Sequence, residues 1–140
     1  MRIGVQLLNT GASENSFQVK SFITIHQGET TDLFIRFIDE DQDKLRYVPA
    51  SGATTLIEIA RFPDVFGTIS NIREEVDFSI RRNATQPFAN DGSIWMIPLT
   101  ATDTNSMISS NIRVTLTETS TISKALVYQA IKVIPKEGQP

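Results

Sequence analysis

Apolar and polar residues take turns along most of this chain, and that period of two is what most limits its fold. Phe17, Val19, Ile23 and Ile25 alternate with Gln18, Lys20 and Thr24. Val76, Phe78 and Ile80 alternate with Asp77, Ser79 and Arg81, and Ile112, Val114 and Leu116 with Arg113, Thr115 and Thr117. A strand turns successive side chains to opposite faces, so each run predicts a sheet element with one apolar and one solvated face. Thr and Ser fill many of the outward positions, as β-branched and small polar residues do on a wet sheet face.

Other strands are less regular. Leu33, Phe34, Ile35, Phe37 and Ile38 leave Arg36 as the one polar residue of its run. That stretch reads as a central strand covered on both faces, or as one whose outer face meets a partner. Residues 54–62 put Thr55, Ile57 and Ile59 on one face and Leu56, Glu58 and Ala60 on the other. Residues 93–99 place Trp95, the single Trp, with Ile97 and Leu99. The apolar stretch 125–134 is expected to close the domain, and residues 3–8 add a strand at the N-terminus. The total is about eight strands at short spacing, which predicts an all-β sandwich or barrel.

Turn chemistry separates the strands. Gln27-Gly28-Glu29, the acidic run before Lys44, Pro49-Ala50-Ser51-Gly52, Phe62-Pro63-Asp64, Asn90-Asp91-Gly92 and Glu118-Thr119-Ser120-Thr121 all read as turns or loops. Asp91-Gly92 ahead of a strand is a tight-turn signal. One short helical turn is expected near 100–107: Thr100 can cap it, Asp103 stands three residues on, and Met107 or Ile108 tucks inward. Residues 62–75 and 83–90 read as long loops, the first with a short strand at 65–69. Contact surfaces commonly sit on such loops. The organisation expected is an N-terminal strand or arm at 1–16, a sandwich domain at 17–135 and a flexible tail at 136–140.

Composition narrows the chemistry. Among 140 residues there is no Cys, which excludes a disulfide framework, a zinc ribbon and a Cys nucleophile. A single His rules out any site needing two imidazoles from one chain. The net charge of −3 is not the basic footprint of a nucleic-acid binder, and Arg81-Arg82 is the only basic pair. The first nine residues lack the long apolar core and cleavage site of a signal peptide. No apolar run reaches the ~18 residues of a membrane helix.

Several groups are candidate sites. Asp39, Asp41 and Asp43 match the opening of an oxygen-ligand calcium loop. Lys44 then stands where that loop needs Gly, and Ala50 where it needs a bidentate Glu, so a charged turn is the better reading. His26 ends a strand with no Ser or Cys nucleophile motif. Glu58, Glu74, Glu75 and Asp77 contain the raw material of a glycosidase carboxylate pair, but acids clustered on a sheet rim are commoner. Asn83-Ala84-Thr85 is a glycosylation sequon that meets no secretory signal. Phe62, Phe66, Phe88 and Trp95 can stack on a sugar; for Trp95 a core position fits better, and for Phe66 and Phe88 an interface anchor competes. The common nucleotide-binding and serine-hydrolase fingerprints do not occur.

The order of features from Gln27 onward carries a resemblance. Gln27-Gly28-Glu29-Thr30-Thr31-Asp32 leads into Leu33–Ile38 and the acidic turn, then Pro49–Gly52 and Thr54–Arg61. Asp91-Gly92-Ser93-Ile94-Trp95-Met96-Ile97 runs into Pro98-Leu99-Thr100-Ala101-Thr102-Asp103-Thr104. Ile112–Thr117 is followed by Ala125–Tyr128 and Ile131–Pro135. This order resembles the immunoglobulin-like β-sandwich modules of tailed-phage virion proteins, such as the N-terminal domains of baseplate upper proteins. The resemblance spans residues 27–135, and its motifs are patterns of order, not a catalytic signature.

It implies an antiparallel immunoglobulin-like sandwich in a non-enzymatic structural protein of the virion, a tail, baseplate or neck adaptor. Other virion proteins and further copies of the chain are the implied partners. No nucleic acid, membrane, metal, cofactor or catalytic residue is implied, and the implied location is the particle, assembled in the host cytoplasm. The baseplate proteins continue into a stalk, whereas this sequence ends after the sandwich and adds residues 1–16. An adaptor, or a capsid decoration protein, is therefore expected before a receptor carrier. A carbohydrate-binding adhesin module using Phe66 and Phe88 is a further alternative. Residues 3–8 are expected to extend onto a neighbouring protein by strand addition.

Overall fold

A computed structural model describes residues 1–10, 16–60 and 78–136 of the chain. The described chain is all-β, with one short helix and two five-stranded sheets. The strands are β1 (Ile3–Leu8), β2 (Val19–Lys20), β3 (Ile23–His26), β4 (Thr31–Asp39), β5 (Leu45–Arg46), β6 (Thr54–Ala60), β7 (Phe78–Asn83), β8 (Ile94–Leu99), β9 (Ser110–Glu118) and β10 (Thr121–Ile134). Helix α1 spans Ala101–Asn105. The count exceeds the expected eight because β2 and β5 are two-residue strands.

Strand β4 organises the first sheet. Its one edge pairs with β1, from Ile3 opposite Asp39 to Leu8 opposite Phe34. Its other edge pairs first with β8, Thr31 opposite Leu99 through Arg36 opposite Ile94, and then with β5. The second sheet runs in the order β3-β10-β9-β6-β7. Every neighbouring pair is antiparallel except β3 with β10, which is parallel, Ile131 lying opposite Ile23.

The core lies between the sheets and follows from the alternation. Leu33, Ile35 and Phe37 of β4 and Trp95, Ile97 and Leu99 of β8 meet Ile57, Ile59, Ile112, Val114 and Leu116 from the second sheet. Phe37 and Trp95 pack edge to face at 6.3 Å, a favoured aromatic geometry. The intervening residues of the first sheet build a smaller cluster on its other face, where Leu8, Phe34 and Ile94 pack with Phe17, Phe88 and Met96. Residues 33–38 are thus a central strand covered on both sides.

Two expectations change. Residues 17–25 do not form one strand: the chain bends at Ser21-Phe22, so β2 joins the first sheet and β3 the second. Phe17 then covers the first sheet's outer face and Val19 is exposed, while Ile23 and Ile25 stay in the core. Residues 3–8 are not an arm, because β1 lies inside the first sheet between β2 and β4 and buries Leu7 and Leu8. Only Leu7 and Leu8 pair with β2, so the outer edge of β1 over Ile3–Gln6 has no partner strand among the described residues. Asp91-Gly92 lies at the turn that leads into β8, as its pattern foretold.

Strand β10 is interrupted rather than uniform. Its register against β9 shifts between Val127 and Ile131, where Gln129 has φ 52° and donates its backbone N–H to Asn111 Oδ1 at 2.7 Å. This bulge lets the second half pair with β3, while the Thr121–Val127 half pairs only with β9 among the described residues.

Burial assigns energetic weight. Ile97 is fully buried between the sheets, and Ile97→Ala should cost about 2–5 kcal/mol by equilibrium urea unfolding. Ile122, 65% exposed on β10, should change stability by less than about 0.5 kcal/mol as Ala in the same experiment.

Candidate functional site

Polar side chains fasten the sandwich at three places. On the second sheet, Glu58 of β6 lies opposite Arg113 of β9 and Arg81 of β7. The buried carboxylate takes a two-pronged contact from Arg113, Nε to Oε1 at 2.9 Å and Nη2 to Oε2 at 3.2 Å. Arg81 Nε stands 3.7 Å from Oε2 and is mostly exposed, so it adds less. A carboxylate this enclosed has to be paired to stay buried, and Arg113 supplies the fork geometry that does it.

At the start of α1, Thr100 caps the helix as its pattern foretold. Its hydroxyl accepts the Asp103 N–H at 3.2 Å, and Asp103 Oδ2 accepts the Thr100 N–H at 2.8 Å. The same carboxylate receives both Nη atoms of Arg82 on β7, at 2.6 and 2.8 Å, so the helix is tied to the opposite sheet. Arg82 is the main reason that the Asp103 carboxyl sits well below the usual carboxylate range; burial opposes this and Thr100 adds to it. Met107, not Ile108, tucks inward behind the helix.

The third fastening is Glu118 at the end of β9. Its Oε2 accepts the Tyr47 hydroxyl at 2.6 Å and the Ala50 N–H at 2.9 Å. The hydrogen bond to Glu118, then burial, push the Tyr47 hydroxyl up to about 12.

The candidate site residues do not converge. The acidic turn follows β4, where Asp39 Oδ1 accepts the Asp41 N–H at 3.0 Å and Asp41 Oδ2 lies 3.6 Å from the N-terminal amine. Asp43 and Lys44 continue it at positive φ. Among the described residues no three His, Asp or Glu side chains gather as a metal site. His26 is exposed at the end of β3. Glu58 is held by arginines, while Glu74, Glu75, Asp77, Phe62, Phe66 and the strand expected at 65–69 lie outside the described residues. The sequon residue Asn83 ends β7 in an exposed position, and Thr85 bridges Met96. Trp95 is in the core. Phe88 is half-buried, 5.3 Å from Phe17 edge to face and stacked on Phe34 at 6.2 Å.

The structure adds a feature that the motifs did not single out. Arg36, on the outer face of β4, has a buried Nε with no acceptor and makes no ion pair among the described residues. Burial and the nearby Arg46 push its pKa down, with Asp91 opposing. Asp91 is already engaged: Oδ2 bonds Arg46 Nη1 at 2.9 Å, and Oδ1 accepts from the backbone N–H and hydroxyl of Ser93. Val48 and Leu45, the latter opposite Asp39 on the other face of β4 from Arg36, are each 59% exposed. The only sequence signal was a lone cation in an otherwise apolar strand.

A scan against models of protein families found no match to this chain, and a search of curated proteins found none.

The Asp103 clasp sets a pH dependence. A carboxyl whose pKa is depressed by folding contributes stability above its unfolded value, about 3.9, and that contribution is lost as pH falls through the folded value. Asp103→Asn should therefore cost about 1–2 kcal/mol at pH 7, on the scale of a lost cap, and the gap to wild type should close as the pH drops below about 4. Urea unfolding of both proteins at pH 7 and pH 3 measures it; a gap independent of pH contradicts the assignment.

Proposed function

We propose that the chain is a non-enzymatic structural protein of a tailed-phage particle, a tail, baseplate or neck adaptor working in multiple copies through sheet edges and loops. The observation that carries this reading is where the exposed apolar side chains sit. Leu45 begins the two-residue edge strand β5 and Val48 follows it, and Ile122 projects from the part of β10 that has no second strand beside it among the described residues. Unpaired edges with exposed apolar side chains are a hazard for a solitary protein and the natural joints of an assembling one. The resemblance of residues 27–135 to phage sandwich modules supplies the kind of assembly, and the particle is the corresponding location. A capsid decoration protein uses the same physics and differs only in its neighbours.

The carbohydrate-binding alternative needs an aromatic ring with a free face. Phe88 instead spends its ring on Phe17 and Phe34, which favours assembly over sugar stacking.

Quantitative mass spectrometry of particles purified from cells carrying the gene tests this. The chain should appear in a fixed ratio to the other particle proteins, at several copies per particle. Its absence from intact particles contradicts the reading.

A further inference from the structure

We propose that the groove between the start of β9 and the second half of β10 binds an organic carboxylate, a singly charged head on a short apolar stem. The groove has a volume of about 640 Å³, within the range of small-ligand sites. It opens because β10 leaves the ladder there. Between the pairs Val127–Ile112 and Ile131–Ser110, three residues of β10 face the single residue Asn111 of β9. Bulges of this kind re-aim side chains, and Gln129 takes the left-handed φ of 52° that this one needs.

Side chains replace the lost ladder bonds, and that decides what the groove offers. Asn111 Oδ1 accepts the Gln129 N–H at 2.7 Å, which leaves the NH2 of the same amide to donate elsewhere. Ser109 Oγ accepts the Val133 N–H at 3.1 Å, which leaves its own O–H to donate. The Asn111 NH2, the Ser109 O–H and the Gln129 side chain have no partner among the described residues. Lys132 is the one charged residue lining the groove. Its ammonium rests 4.1 Å from the centre of the Phe22 ring and has no carboxylate partner among the described residues.

A groove lined by free donors, with one cation and no anion, is suited to a monoanion. The single charge of Lys132 balances a carboxylate and leaves a doubly charged phosphate half-compensated. The apolar stem has its own wall, since Ile134, 43% exposed, lines the same groove. A free short-chain acid and the C-terminus of a peptide share this chemistry.

Amide-correlation NMR of the full chain, titrated at constant ionic strength, tests the site. Hexanoate should give saturable shifts that cluster at Asn111, Gln129 and Lys132. Hexanamide, of the same shape without the charge, should bind about tenfold more weakly. Acetyl-Ala-Leu with a free carboxylate stands for a peptide terminus, and the tighter-binding of the two acids names the source. Asn111→Asp keeps an oxygen for the Gln129 N–H but puts a negative oxygen in place of the NH2, so it should fold and bind hexanoate about tenfold more weakly. Lys132→Gln should weaken binding by a similar factor, and because Lys132 is exposed it decides the matter even where a change at Asn111 disturbs the bulge. Saturable shifts from neither acid, equal binding of hexanoate and hexanamide, or a folded Lys132→Gln or Asn111→Asp variant that binds like wild type overturns the proposal.

Discussion

Leu33, Phe34, Ile35, Phe37 and Ile38 are all buried on the single strand β4, and they point to opposite faces in turn. Each is worth about 1.5–3 kcal/mol if removed from water, so neither face of β4 can be left bare without a large loss. One face is covered by the second sheet. The other is covered by Phe17 and Phe88, which reach over Phe34 from outside the regular strands. The position of β4 at the centre of its sheet follows, since β1, β8 and β5 are needed to satisfy both of its backbone edges.

The polar fastenings depend on that arrangement and refine it. Arg82 and Asp103 join a strand of the second sheet to the helix that follows β8 of the first. Tyr47 and Ala50, just past β5, are held by Glu118 at the far end of β9. Glu58 and its arginines span three strands within one sheet. Each contact fixes relative position more than it adds net stability, because ion pairs recover only part of their desolvation cost. A sandwich fixed in this way presents its edges in a constant geometry.

Much of this was legible locally. Ile112, Val114 and Leu116 announced their buried face through alternation, and Thr100 with Asp103 announced the helix start. The two-strand nature of residues 17–25 was not visible because Val19 and Ile23 keep the same parity across the bend at Ser21-Phe22. A period of two continues in phase when a chain changes sheets, and no Gly or Pro marks the corner. The roles of Glu58 and Arg36 were hidden for another reason. Glu58 meets Arg113 only through strand register, and Arg36 becomes notable only once Asp91 is seen to be engaged by Arg46 and Ser93. Those are relations between distant segments, and a single sequence does not state them.

The dependence of the whole on β4 is open to direct measurement by native-state amide hydrogen exchange. Amides of Leu33–Ile38 should exchange only through global unfolding, whereas those of the unpaired half of β10 should exchange orders of magnitude faster. Exchange in β4 as fast as at that edge would contradict the account, because it would mean that the doubly covered strand opens without the molecule unfolding.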